Sequence, residues 1–141
     1  MYEYSCEVKR VVDGDTIDCV LDLGFSVLHK CRVRLYGIDT PESRTRNKDE
    51  KARGKLAAKF LEDSINNGKQ VILRSKLKDS KGKYGRVLGE VIVDDININQ
   101  LMVKRYLAVK YYGQSKQDIE AEHLLNRQKL IDLNLHVLID E

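Results

Sequence analysis

Tryptophan is absent from this chain of 141 residues, proline occurs once, at Pro41, and there are three cysteines, Cys6, Cys19 and Cys31. An odd number of thiols with no Cys-x-x-Cys spacing argues against both a disulfide framework and a zinc site. All three lie in apolar, strand-like contexts, which points to buried structural thiols. The three histidines, His29, His123 and His136, are scattered and share no spacing with the acidic residues, so none receives a catalytic role. No apolar run approaches the roughly 18 residues of a membrane-crossing helix. The opening Met1-Tyr2-Glu3-Tyr4-Ser5-Cys6-Glu7 also lacks the basic and apolar segments of a secretory signal. The default expectation is a soluble cytoplasmic monomer without a membrane partner, with a secreted chain whose signal has been removed as the alternative.

Charge, in contrast, is abundant. Asp, Glu, Lys and Arg make up 33 % of the residues, above the usual quarter, and the net charge is +3. A mildly basic balance permits a polyanionic partner without demanding one. Basic runs at Arg44 to Arg53 and Lys76 to Lys83 say more than the total, although either could be a solvated face. The length suits one domain that buries roughly two-thirds of its unfolded surface.

Periodicity divides the chain. Tyr4, Cys6 and Val8 alternate with polar residues and run into Val11-Val12, a strand pattern. Asp13-Gly14 is a turn signal, because glycine accepts positive φ. Thr16 to Leu23 makes the return strand and Leu23 to Ser26 a second turn. From Val27 to Tyr36 a third strand places Cys31, Val33 and Leu35 on one face and Lys30, Arg32 and Arg34 on the other. Helical spacing follows from about Asp49 to Asn66. Strands are predicted at Gln70 to Leu77 and Arg86 to Val93, joined by a hairpin loop, and Leu107 to Tyr112 is irregular or briefly extended. A short helix spans about Asn97 to Tyr106, and a last one, about Ser115 to Ile131, is expected to bury Ile119, Leu124, Leu125 and Leu130 or their neighbours. Five strands interleaved with three helices fit an α+β fold, a small barrel with helices packed against it.

Three segments carry chemistry. They are Val12-Asp13-Gly14-Asp15-Thr16, then Arg34-Leu35-Tyr36-Gly37-Ile38-Asp39-Thr40-Pro41-Glu42, then Lys83-Tyr84-Gly85-Arg86. Carboxylates without histidine or thiolate suit a hard cation, calcium or magnesium, and two arginines can grip phosphate oxygens in a fork that lysine cannot reproduce. Each segment also has a plainer reading: solvated turn aspartates, an outward-facing arginine, a hairpin-loop charge. Tyr84, Tyr111 and Tyr112 could stack on bases or could be half-buried packing residues.

Taken together, in this order and spacing, the three segments resemble the staphylococcal nuclease (thermonuclease) family, over about Val8 to Ile131. The resemblance implies a single domain whose fold is a five-stranded OB barrel with three helices, and a calcium-dependent nuclease acting on DNA or RNA to leave 3′-phosphorylated products. It implies that Asp15 and Asp39 ligate calcium with the backbone oxygen of Thr40, and that Asp13 is an acid standing behind them. Glu42 would orient or deprotonate the attacking water, and Arg34 and Arg86 would clamp the phosphate. Lys83, Tyr84 and Tyr112 would contact the substrate. The tail Leu133 to Glu141 has no clear counterpart, and the tryptophan common near the family's C-terminus is missing. The main rival is a non-catalytic OB-fold module that binds single strands, and a further one is a protein-interaction domain on the same scaffold. Retention of Asp15, Arg34, Asp39, Glu42 and Arg86 together argues against the first; the second predicts no calcium effect and an exposed apolar patch in place of a charged cleft.

Overall fold

The computed structural model describes residues 2–76 and 87–135. Strands β1 (Glu3–Asp13), β2 (Thr16–Asp22) and β3 (Leu28–Leu35) form an antiparallel meander, as their alternating patterns predict. A two-residue strand, β4 (Ile38–Asp39), precedes helix α1 (Lys48–Asn66). Strands β5 (Val71–Ser75) and β6 (Val87–Val93) pair antiparallel, and β5 also pairs with β1. The barrel of five strands closes where β6 runs parallel to β3, with Val33 opposite Val87 and Leu35 opposite Gly89. Closure shortens the free edges that a small open sheet would expose to other chains.

The remaining elements are short except for the last. Strand β7 (Ile96–Asn97) folds back on β6, and helix α2 (Ile98–Lys104) follows it. Strand β8 (Val109–Lys110) pairs with β4, and helix α3 (Lys116–Asp132) ends the described chain. Side chains of Asn47, Asn97 and Ser115 accept backbone N–H bonds at the three helix starts, offsetting the donors that a first turn leaves unpaired.

Inward-facing residues of the barrel, Ile17, Val33, Leu35, Leu73 and Val91, meet Ala57 and Leu61 of α1 and Met102 of α2 in one core. Cys6 and Cys19 are buried and Cys31 is half-buried, all three as free thiols. The Cys19 hydrogen bond and burial push the Cys31 thiol up, favouring its protonated form.

Two expectations are corrected. Gly14 does not adopt positive φ. Its need is space, since a Cβ there would lie 2.8 Å from the Ala57 Cβ and 3.0 Å from the Thr40 side chain. In α3, Leu124 and Leu125 are 54 % and 68 % exposed. The face turned inward instead carries Glu122, His123, Asn126 and Arg127 with Leu130, and hydrogen bonds dock it where apolar spacing pointed the other way.

Candidate active site

Register brings the first two pieces together. Thr16 pairs with Arg34 across β2 and β3, and the Leu35 N–H donates to the Asp15 carbonyl at 2.8 Å. Asp15, at the head of β2, therefore stands beside Arg34 at the end of β3. The turn at Tyr36-Gly37 then returns the chain through β4, which delivers Asp39 and Thr40 to the same place. Buried Asn99 steadies that turn, donating to the Tyr36 and Gly89 carbonyls and accepting from the Val91 N–H.

Arg34 is half-buried and held by carbonyl oxygens. Its Nη1 donates to Leu35 O at 3.0 Å and Ile38 O at 2.9 Å. So fixed, the guanidinium lies 3.5 Å from Asp15 Oδ2 and 3.5 Å from Asp39 Oδ1. Asp15 Oδ2 also accepts the Thr40 N–H at 3.2 Å, and Asp15 Oδ1 the Thr16 hydroxyl at 3.0 Å. Thr40 itself is buried. Two carboxylates thus meet a single guanidinium, with the Thr40 backbone beside them. Among the described residues no group of three or more His, Cys, Asp or Glu side chains gathers as a metal cage.

Glu42 sits on the loop leading to α1. The Ser43 hydroxyl donates to Asp13 Oδ1, tying that loop to the end of β1. From the other side α1 leans on it: a Cβ at Gly54 would lie 2.6 Å from the Glu42 carbonyl carbon and oxygen. Glycine lets the helix come this close to backbone. Glu42 is exposed, yet partial loss of water around its carboxyl raises its pKa, and the charges of Asp13, Asp15, Asp39 and Glu50 add to the rise.

His123, which sequence spacing left without a role, meets the site directly. Its Nε2 lies 2.8 Å from Asp39 Oδ2, from a position 84 residues along the chain. No local pattern could signal that contact, because it depends on how α3 docks. Tyr112 is 75 % exposed and, with Tyr36, Tyr111, Lys104 and Lys110, lines a groove of about 480 Å³ beside β4 and β8. Arg86, Lys83 and Tyr84, the third segment of the sequence pattern, lie outside the described residues, as does His136.

Residues 32–130 match the family described as staphylococcal nuclease homologue, a span that includes Arg34, Asp39, Thr40 and Glu42. The chain belongs to that family. It is 38 % identical to the thermonuclease of Staphylococcus intermedius over 74 % of its own length, and 35 % identical to endonuclease YhcR of Bacillus subtilis (strain 168) over 78 %. It spans 59 % of the first of those proteins and 9 % of the second, less than two thirds of either. Against the micrococcal nuclease of Shigella flexneri it is 33 % identical, covering 91 % of this chain and 72 % of the relative. The five-stranded barrel with three helices is the OB architecture that the nuclease resemblance implied. Among the described residues no helix is long and apolar enough to cross a membrane.

Proposed function

We propose that this chain is a calcium-dependent nuclease that hydrolyses phosphodiester bonds in DNA or RNA. One observation carries the reading: a half-buried arginine, pinned by two carbonyls, stands between Asp15 and Asp39. A guanidinium fixed in this way is pre-aimed and need not reorganise when a phosphate arrives. Family relatives named thermonuclease and endonuclease support the same reading.

The donor set fits a hard cation. Asp15, Asp39 and the Thr40 carbonyl offer oxygen alone, the ligand type calcium takes, with water completing the coordination. Two carboxylates facing one arginine also repel each other, so a site like this gains from positive charge. When bound, calcium would offset charge on the phosphodiester and favour ionisation of a water molecule beside it.

The residues then divide the work. Arg34 donates to the phosphate oxygens that gain charge as the nucleophile approaches. Glu42, whose raised pKa brings it closer to working pH, accepts the proton of the attacking water. Water oxygen bonds to phosphorus, the bond from phosphorus to O5′ breaks, O5′ takes a proton from solvent as Glu42 releases its own to water, and the products are a 3′-phosphate and a 5′-hydroxyl. Asp13 holds the Glu42 loop through Ser43. Arg86 is assigned the second phosphate contact, and Lys83 and Tyr84 substrate contacts, on the sequence pattern alone. The tyrosine-lined groove gives unpaired bases surfaces to stack on, with Lys104 and Lys110 near the backbone.

The test is digestion of single- and double-stranded DNA and RNA in calcium and then in EDTA. Cleavage should require calcium, and its products should carry 3′-phosphates that block polymerase extension. Arg34→Ala and Glu42→Ala should each lower kcat on the order of 100-fold or more. Tight binding of single strands without cleavage would move the assignment to a non-catalytic OB module. Calcium should also stabilise the fold by mass action, about 2.7 kcal/mol at 100 times its Kd, read as a rise in Tm.

A further inference from the structure

Helix α3 meets the rest of the molecule along Glu122, His123, Asn126, Arg127 and Leu130, positions that share one side of a helix. Three of these bonds serve to dock it. Glu122 accepts from Gln114 at 3.1 Å, Asn126 Nδ2 donates to Ala108 O at 3.1 Å, and Arg127 Nε donates to Asp49 Oδ1 at 3.0 Å. The fourth polar member does something different. His123 is turned from α3 onto Asp39 and is only 12 % exposed.

An aspartate side chain is loosely defined about its last torsion, which is broad and roughly two-fold. Asp39 sits on a strand of two residues, so its backbone alone does little to fix the carboxylate plane. Two groups from other elements do so. Oδ2 lies 2.8 Å from His123 Nε2, and Oδ1 lies 3.5 Å from Arg34 Nη2. An ionised carboxylate only accepts, so Nε2 carries the hydrogen and donates it.

We infer that His123 is a positioning residue: by holding Oδ2 of Asp39 it turns Oδ1 toward Arg34 and Asp15, where the cation is to be bound. The nitrogen facing the site is the one already committed to Oδ2, so the imidazole acts through Asp39 and does not ligate. Hydrogen-bonded partners behind a ligating group typically change metal affinity by about 10- to 100-fold when removed. Docking α3 by directional bonds, and not by a leucine face, fixes the helix's rotation and so the aim of His123. The inference rests on the reading of Asp39 as a calcium ligand given above.

The experiment is calorimetric titration of calcium into the full chain carrying Glu42→Gln, which removes turnover. Adding His123→Ala should raise the calcium Kd about tenfold or more. His123→Gln, whose amide can donate to the same oxygen, should recover most of that loss. Asn126→Ala breaks one of the three docking bonds on the same face without touching Asp39; it should lower Tm and raise the calcium Kd far less than His123→Ala does. Long-range 15N NMR of the unmodified chain should show the His123 proton on Nε2. Unchanged calcium affinity in His123→Ala overturns the inference while leaving the nuclease reading intact. So does an equal loss in Asn126→Ala, which would make docking of α3 the cause. If the Glu42→Gln parent takes up no calcium, the cation reading falls and this inference falls with it.

Discussion

Helices α1 and α3 flank the candidate site and are held by different physics. α1 buries Ala57 and Leu61 completely, and Leu56, Phe60 and Ile65 pack against the same core. α3 buries one residue, Leu130, and lays a polar stripe against β4, α1 and the segment around β8 while two leucines face outward. Apolar burial is strong but indifferent to angle, whereas a hydrogen bond weakens steeply when misaligned. The helix that needs only to press on backbone, at Glu42, is held by burial. The helix that aims one ring nitrogen at one oxygen is held by directed bonds. Asp49 joins the two systems, accepting from Arg53 in α1 and from Arg127 in α3, each at 3.0 Å.

Leucine truncation separates the two modes most strongly. Leu61→Ala should cost about 2–5 kcal/mol, the range for emptying a packed core position. Leu125→Ala, on the outward face of α3, should stay within about 0.5 kcal/mol. Denaturant midpoints measure both. Equal losses would break the contrast, since they would mean that the outer face of α3 is covered by something that packs as tightly as a core.

That contrast also marks what sequence could convey. The five strands were readable because one face of each is buried, as the alternation of Val33 and Leu35 with Arg32 and Arg34 shows. Parallel closure of β3 on β6 was not, because neither strand's pattern specifies its partner. α3 was found as a helix by spacing, but its leucines pointed to the wrong face: a periodicity rule weighs burial and is blind to Asn126 finding a carbonyl. In the site, Asp15, Arg34 and Asp39 were legible as a pattern; the β2–β3 register sets Asp15 beside Arg34, and β4 brings Asp39 to them. His123 and Gly54 carried no signal, since the first depends on a contact 84 residues away and the second on how closely α1 approaches Glu42.

Gly54→Ala tests the α1 side. Alanine favours a helix over glycine by about 1 kcal/mol, so propensity alone predicts a more stable protein. The new Cβ would, however, sit 2.6 Å from the Glu42 carbonyl, and backbone cannot swing aside as a side-chain tip does. α1 or the Glu42 loop must shift by a fraction of an ångström. Misplacement by about 1 Å can cost 100-fold in rate, so a partial shift should lower kcat about tenfold. The steric cost should also cancel the gain in Tm. An unchanged kcat together with a raised Tm would show that the Glu42 position does not depend on α1.

Glu42→Gln has a small expected effect on stability, and its sign follows from the charges around it. Loss of water and the charges of Asp13, Asp15, Asp39 and Glu50 raise the Glu42 pKa in the folded chain, and Glu50 belongs to the first turn of α1. With the folded value above the unfolded one, the folded state holds its proton more tightly. Stability from this group is therefore complete below the unfolded pKa and is lost as pH rises through the folded one. Above the folded pKa the carboxylate is ionised in both states and the full penalty applies. Glutamine removes the charge, so without calcium the variant should melt slightly higher than the unmodified chain at pH 7, even as its activity falls. The two melting curves should converge as pH drops into the carboxylate range, where Glu42 is protonated anyway. Glu50→Gln should give a weaker rise of the same sign, because its charge is the smallest of the causes named. A variant that melts lower at pH 7 would mean that Glu42 makes a stabilising contact outweighing this repulsion, and that α1 holds the residue in place by attraction as well as by shape.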